Sequence, residues 1–207
     1  MDREYDALSI RELGAGAGFR RPAQAQAAKV SIESPALEVM TDLRRTTPAT
    51  IRPQAPLAGA NQFMITRGVR LLLVVDDQEA VLGVITATDI LGERPMRVAT
   101  ERSMRRDELT VADIMIPAEQ VEVIALQDVT AARVGHVLET LRRAGRQHAL
   151  VIDFDDIPSG RPLTPPGHRA MVRGIFSLSQ IARQLGVSVP TSGEVARTFS
   201  EIGAAIK

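Results

Sequence analysis

The residues best suited to chemistry are a hydroxyl and an acid three positions apart, Thr86 and Asp89 of Thr86-Ala-Thr-Asp89, where an apolar strand gives way to a helix. A carboxylate there can accept hydrogen bonds from both hydroxyls of a sugar diol, and charged acceptors make the stronger bonds. The threonine hydroxyl and the free amides of a helix start suit a phosphate. The same spacing also satisfies a capping box, in which the fourth side chain reaches back to the cap amide. Ser177-Leu-Ser-Gln180 fits that box as well, although Gln180 is an uncharged and weaker acceptor for a diol. Capping alone would account for both copies.

Other chemistry has less support. His148 opens an apolar strand, the usual setting of a hydrogen-bonded core histidine, while His136 and His168 are scattered and show no metal-ligand spacing. The acidic run Asp153-Phe-Asp-Asp156 reads first as a solvated turn and second as a place to gather Mg²⁺. No cysteine is present, which excludes disulfides, thiolate zinc sites and a cysteine nucleophile. Nucleophile-elbow, phosphate-loop and His-Glu-x-x-His motifs are absent, so no catalytic residue is assigned and the chain does not read as an enzyme. Twenty-five basic and 25 acidic side chains cancel, and aromatics make up 3%, which argues against a nucleic-acid surface. No apolar run approaches the roughly 18 residues of a membrane span, and no leader peptide is evident, so a cytoplasmic location is expected. Glu93 to Glu108 holds Arg94, Arg97, Arg102, Arg105 and Arg106 among four acids. It reads as a solvated linker with local ion pairs, or as a source of arginines for an anion in a cleft.

The elements that must position these residues occur twice. Val81-Leu-Gly-Val-Ile-Thr-Ala-Thr-Asp-Ile90 is echoed by Val172-Arg-Gly-Ile-Phe-Ser-Leu-Ser-Gln-Ile181. Leu37-Glu-Val-Met40 matches Ala112-Asp-Ile-Met115, and the Gly68 to Asp76 block matches Gly145 to Asp153. Three blocks in one order imply a duplicated unit that buries its open face against its twin. Between the last two blocks the second copy carries extra residues, 154–171, rich in Pro, Gly and Asp as a loop would be.

The pattern predicts strands at Thr50-Ile51, Leu71–Val75, Val81–Ile85, Val121–Ala125, His148–Ile152 and Arg173–Phe176, with a further short strand at Val30–Ile32. Helices are expected at Leu57–Arg67, Ala87–Leu91, Val111–Met115 and Val129–Arg143, and from Ser177 to Leu185. Ser34-Pro35 reads as a helix start, and Gly68, Gly145 and Gly186 as helix stops. The expected divisions are 1–35 as an N-terminal tail, 36–93 as the first repeat, 94–110 as a linker, 111–187 as the second repeat and 188–207 as a C-terminal helix. That helix carries the stripe Val195, Phe199, Ile202 and Ile206, suited to packing on a partner or on the domain itself.

Val39-Met40-Thr41, Thr50-Ile51-Arg52-Pro53, Gly68 to Asp76 and Gly83-Val-Ile-Thr-Ala-Thr-Asp89, with their second copies, resemble a tandem pair of cystathionine β-synthase (CBS) domains. Leu73 departs from that pattern, which often has proline there. The resemblance implies an α+β fold of two β-α-β-β-α repeats with pseudo-twofold symmetry, two clefts between them and a homodimer. It implies adenine nucleotide or adenosyl binding, with AMP, ADP, ATP or S-adenosylmethionine as ligand and no cofactor. It also implies regulation of a partner protein that the sequence does not name. On that reading Asp89 takes the ribose, Thr86 a phosphate oxygen, and backbone groups of Thr50 and Ile51 the adenine edge. Arg70 and Leu71 stand where many members carry a basic pair, so Arg70 either meets a phosphate or is a solvated strand-end residue, and His148 and Ser177 occupy the second copy's site positions. The Asp89 cleft is then expected to hold the nucleoside, and the Ser177 cleft to be weak, empty or altered. A purely structural or dimerisation role is the alternative.

Overall fold

The computed structural model describes residues 30–154, 170–187 and 199–203. The strands are β1 (Thr41–Asp42), β2 (Thr50–Ile51), β3 (Leu71–Val75), β4 (Val81–Thr86), β5 (Ile116–Pro117), β6 (Val123–Ala125), β7 (His148–Phe154) and β8 (Ala170–Ser177). The helices are α1 (Leu57–Arg67), α2 (Ala87–Leu91), α3 (Arg94–Glu101), α4 (Val111–Ile114), α5 (Leu126–Ala131), α6 (Val134–Ala144) and α7 (Leu178–Gln184). The first repeat runs β2-α1-β3-β4-α2 and the second β6-α5-α6-β7-β8-α7, the β-α-β-β-α plan expected with one helix more in the second.

Each sheet is completed by the other repeat. One runs β2-β3-β4-β5 and the other β1-β8-β7-β6, so β1 and β5 have changed places. Thr41 and Asp42 pair with Ile175 and Gly174, while Ile116 and Pro117 pair with Val84 and Gly83. The exchange extends to the segments that lead into each repeat. Ala36 N–H donates to Ala132 and Val134 N–H to Ser34, and likewise Leu57 N–H to Leu109 and Val111 N–H to Ala55. Both central hairpins carry a register shift at the same place, after Val74 and after Val151. The twofold relation therefore reaches single residues.

Side-chain alternation builds the layers. On β3, Leu72 and Val74 join the helix-side core with Leu57, Met64 and Ile85. Leu71, Leu73 and Val75 face the other way and meet Val84 and Leu150 in a cluster that joins both sheets. The departure at Leu73 has a physical reason, since its N–H donates to Ala49 at 3.0 Å and proline could not. The second helix-side core centres on Phe176 and takes in Val39 and Met40 of the first repeat. Phe199 and Ile202 pack on that core, so the C-terminal stripe serves the domain itself; Val195 and Ile206 lie outside the described residues.

Asp42 and Arg173 form a cross-repeat ion pair at the β1–β8 junction. Burial pushes the Asp42 carboxyl up, but the Arg44 amide at 2.8 Å and the Arg173 guanidinium hold it below the usual carboxylate range.

Several expectations need correction. The helix expected over Val129–Arg143 is two helices, because Ala132 and Arg133 turn extended to bridge residues 34–36. The linker at 94–110 contains α3, with Pro95 and Ala99 buried. Val30–Ile32 is not a strand, and Ser34 accepts a hydrogen bond from Ser31 N–H instead of capping. Pro35 is the cap residue of a short 3-10 turn at Ala36–Val39. The first and last residues of the 154–171 insertion extend β7 and β8, and 155–169 and the tail 1–29 lie outside the described residues. Among those described, no helix is long and apolar enough to cross a membrane.

Candidate functional site

The pseudo-twofold axis creates two clefts, each walled by both repeats. The strand exchange dictates their composition. The hydroxyl-x-x-acceptor turn of one repeat faces the loop before the short strand, and the start of the central strand, of the other. Leu71 and His148, which open β3 and β7, line both clefts and form their common wall.

The cleft at Asp89 is the smaller, about 200 Å³. Thr86 and Asp89 form the capping box foreseen as the alternative to ligand binding. Thr86 donates from its amide at 2.9 Å and from its hydroxyl at 2.6 Å, both to Asp89 Oδ2. The other carboxylate oxygen has no hydrogen bond among the described residues, and Asp89 is only half-buried. The acid is therefore not sealed in the core. Opposite it, Glu122 and Arg146 pair at 3.2 Å, so this cleft carries two acids and one base. α2 has five residues, too short for a strong dipole at its start.

The cleft at Ser177 is about 610 Å³, within the roughly 300–1,000 Å³ typical of small-molecule sites. The Asp89 cleft, where the nucleoside was expected, falls below that range. The capping box expected at Ser177 is absent; Ser177 Oγ lies 3.1 Å from Ser179 Oγ. Gln180 is held otherwise, its Oε1 accepting from the Thr41 hydroxyl at 3.1 Å across the repeats. That leaves its amide NH₂ as a donor. Arg70 and Arg183 line this cleft and, among the described residues, no carboxylate does. Among the described residues Arg183 bonds only the Ser179 carbonyl, and Arg70 has no side-chain partner. The charge asymmetry follows from the twin positions: where the first repeat has Asp89, the second has Gln180, and where the second has Gln147, the first has Arg70.

His148 is half-buried, pairs in register with Ser177, and has no side-chain hydrogen bond among the described residues. Burial, and then the nearby Arg70 guanidinium, push it down to about 4. It is neutral at pH 7.

The expected site residues thus separate. Arg70, His148 and Ser177 come together in the larger cleft, and Thr86, Asp89 and His148 in the smaller. Thr50 and Ile51 line neither; they border a separate groove with Arg52, Phe63 and Glu79. Nor do the arginines of 94–106 reach a cleft. Arg94 and Arg106 donate to the Met115 and Ile90 carbonyls, and Arg97, Arg102 and Arg105 pair with Glu101, Asp113 and Asp107. Arg183 and residues 46–49 were not singled out from sequence. The signal for 46–49 lay in the twin, since they precede β2 as Val121 and Glu122 precede β6; Arg183, whose twin is Gly92, had none. Among the described residues no group of three potential metal ligands occurs; Asp155, Asp156 and His168 lie outside them.

Comparison with known proteins agrees with this architecture. Residues 36–95 match the CBS domain family. An uncharacterized conserved protein from Pyrococcus horikoshii superposes over 79% of this chain and 100% of its own, at 20% identity and a TM-score of 0.51. CBSX2, known from Arabidopsis thaliana, has a structure in complex with AMP that covers 72% of this chain and 94% of its own, at 16% identity and a TM-score of 0.47. The CBS domain pair of MJ0100, in complex with 5-methylthioadenosine and S-adenosyl-L-methionine, covers 71% and 97% at 20% identity and a TM-score of 0.44. No curated protein matches the chain in sequence. Residues 36–95 thus match the CBS domain family, and the second repeat has the same fold under pseudo-twofold symmetry.

Proposed function

We propose that this chain is a non-catalytic regulatory module that binds an adenine nucleotide between its two CBS repeats. The observation that carries the reading is the larger cleft. It is open, walled by both repeats, and offers Arg70 and Arg183 with no opposing carboxylate among the described residues. Guanidinium groups recognise phosphate through paired charge-assisted hydrogen bonds. Apolar atoms of Met64, Ile65, Val69 and Leu91 supply a surface for a base. Among AMP, ADP, ATP and S-adenosylmethionine, this charge favours the phosphorylated ligands over the sulfonium. A ligand touching both repeats changes how they pack, and a homodimer or a partner protein reads that change; ligand and partner then influence each other reciprocally. The scaffold reading requires clefts filled by the protein's own side chains, and about 610 Å³ of open space weighs against it.

Thermal unfolding with and without ligand tests the proposal. AMP at about 100 times its dissociation constant adds about 2.7 kcal/mol of stability. For a chain of this size that raises Tm by roughly 5–10 °C. A flat response to AMP, ADP and ATP at millimolar concentration removes the sensor reading and leaves the scaffold.

A further inference from the structure

We propose that His148 is a ligand-induced third cation of the larger cleft, taking up a proton when a phosphorylated ligand settles beside Arg70. The inference rests on the nucleotide reading above and adds a proton to it. Three geometric facts carry it. His148 lines the cleft that holds Arg70 and Arg183, its imidazole has no hydrogen-bond partner among the described residues, and it stands on the wall shared with the second cleft.

The charges facing it set the direction. It shares the larger cleft with Arg70, which acts on it directly, and with Arg183, and the smaller with Asp89 and the Glu122–Arg146 pair. In the free protein, burial and Arg70 keep the imidazole neutral. A phosphate beside Arg70 offsets that repulsion and places an opposite charge within reach of the ring, which favours the charged form. Reciprocity then requires that protonation tighten phosphate binding. The twin position is Leu71, so an apolar residue at 148 has a precedent in the same fold.

The test uses the full chain, AMP, and the His148→Leu variant. Calorimetric titration from pH 8 to pH 5.5 gives the ratio of wild-type to variant affinity. Taking the ratio cancels the titration of the phosphate itself. It is near one at pH 8 and grows to about tenfold at pH 5.5. In parallel, the imidazole carbon resonance of His148, assigned by its loss in the variant, titrates near pH 4 without AMP and about two and a half units higher at saturation, the shift that a tenfold ratio at pH 5.5 requires. A ratio that stays level with pH, or a resonance unmoved by saturating AMP, overturns the proposal while leaving nucleotide binding intact. Absence of binding by both proteins at every pH overturns the nucleotide reading itself and this inference with it. Should His148→Leu fail to fold, the resonance shift in wild type decides alone, since His136→Gln and His168→Gln assign the remaining peak by elimination.

Discussion

Gly83→Ala should cost about 3 kcal/mol and Gly174→Ala, its symmetry mate, about 1 kcal/mol or less. The two glycines sit at equivalent points, where β4 and β8 receive a strand from the opposite repeat. Their neighbours differ. A Cβ at Gly83 would lie 2.2 Å from the backbone oxygen of Ile116 and 3.2 Å from Pro117 Cα, so β5 itself must move. A Cβ at Gly174 would meet Met40 Sδ at 2.4 Å and Cε at 3.0 Å, and a thioether side chain has rotamers to escape into. The exchange of β5 is what joins the first sheet to the second repeat, so the damage at Gly83 falls on the interface that forms the clefts. Denaturant unfolding checks it: the midpoint falls far more for Gly83→Ala, with the slope unchanged. Equal losses at both positions would mean that the strand exchange is not as tight as the structure has it.

Arg70→Glu should weaken AMP binding about 100-fold, a loss of about 2.7 kcal/mol. A charged hydrogen bond contributes about 1.5–3 kcal/mol, and the reversed charge adds repulsion. Adenosine, which has no phosphate, should bind wild type and variant alike. Arg70 is half-buried at the start of β3 and outside all three cores, so the fold should survive. Calorimetry with both ligands separates the charge effect from general damage. AMP affinity that is retained in Arg70→Glu but lost in Asp89→Asn would move the phosphorylated ligand to the smaller cleft.

Much of this architecture was legible in residue types and spacing. The helix at Leu57–Arg67 and its left-handed stop at Gly68 follow from an apolar stripe ended by glycine, and Gly145 repeats the device. What local periodicity does not encode is the partner of a two-residue strand. Thr41-Asp42 and Ile116-Pro117 pair across the repeats, and that exchange decides which loop faces which turn. Thr50 and Ile51 were therefore grouped with Asp89 of their own repeat, although the chain opposite Asp89 is Val121 and Glu122. α3 was hidden by its arginines, which mask the buried face of Pro95 and Ala99. The relative size of the clefts was illegible for the same reason as the exchange. Asp89 is an acid of the right chemistry, but its cleft is small and shared with the Glu122–Arg146 pair, and one carboxylate oxygen is taken by the cap.

The most direct measurement is a crystal structure of the protein grown with AMP. The account predicts nucleotide density in the Ser177 cleft, its phosphate within hydrogen-bond distance of Arg70 or Arg183 and its base against Met64 and Val69. Density confined to the Asp89 cleft, or a nucleotide bound away from both arginines, would contradict it.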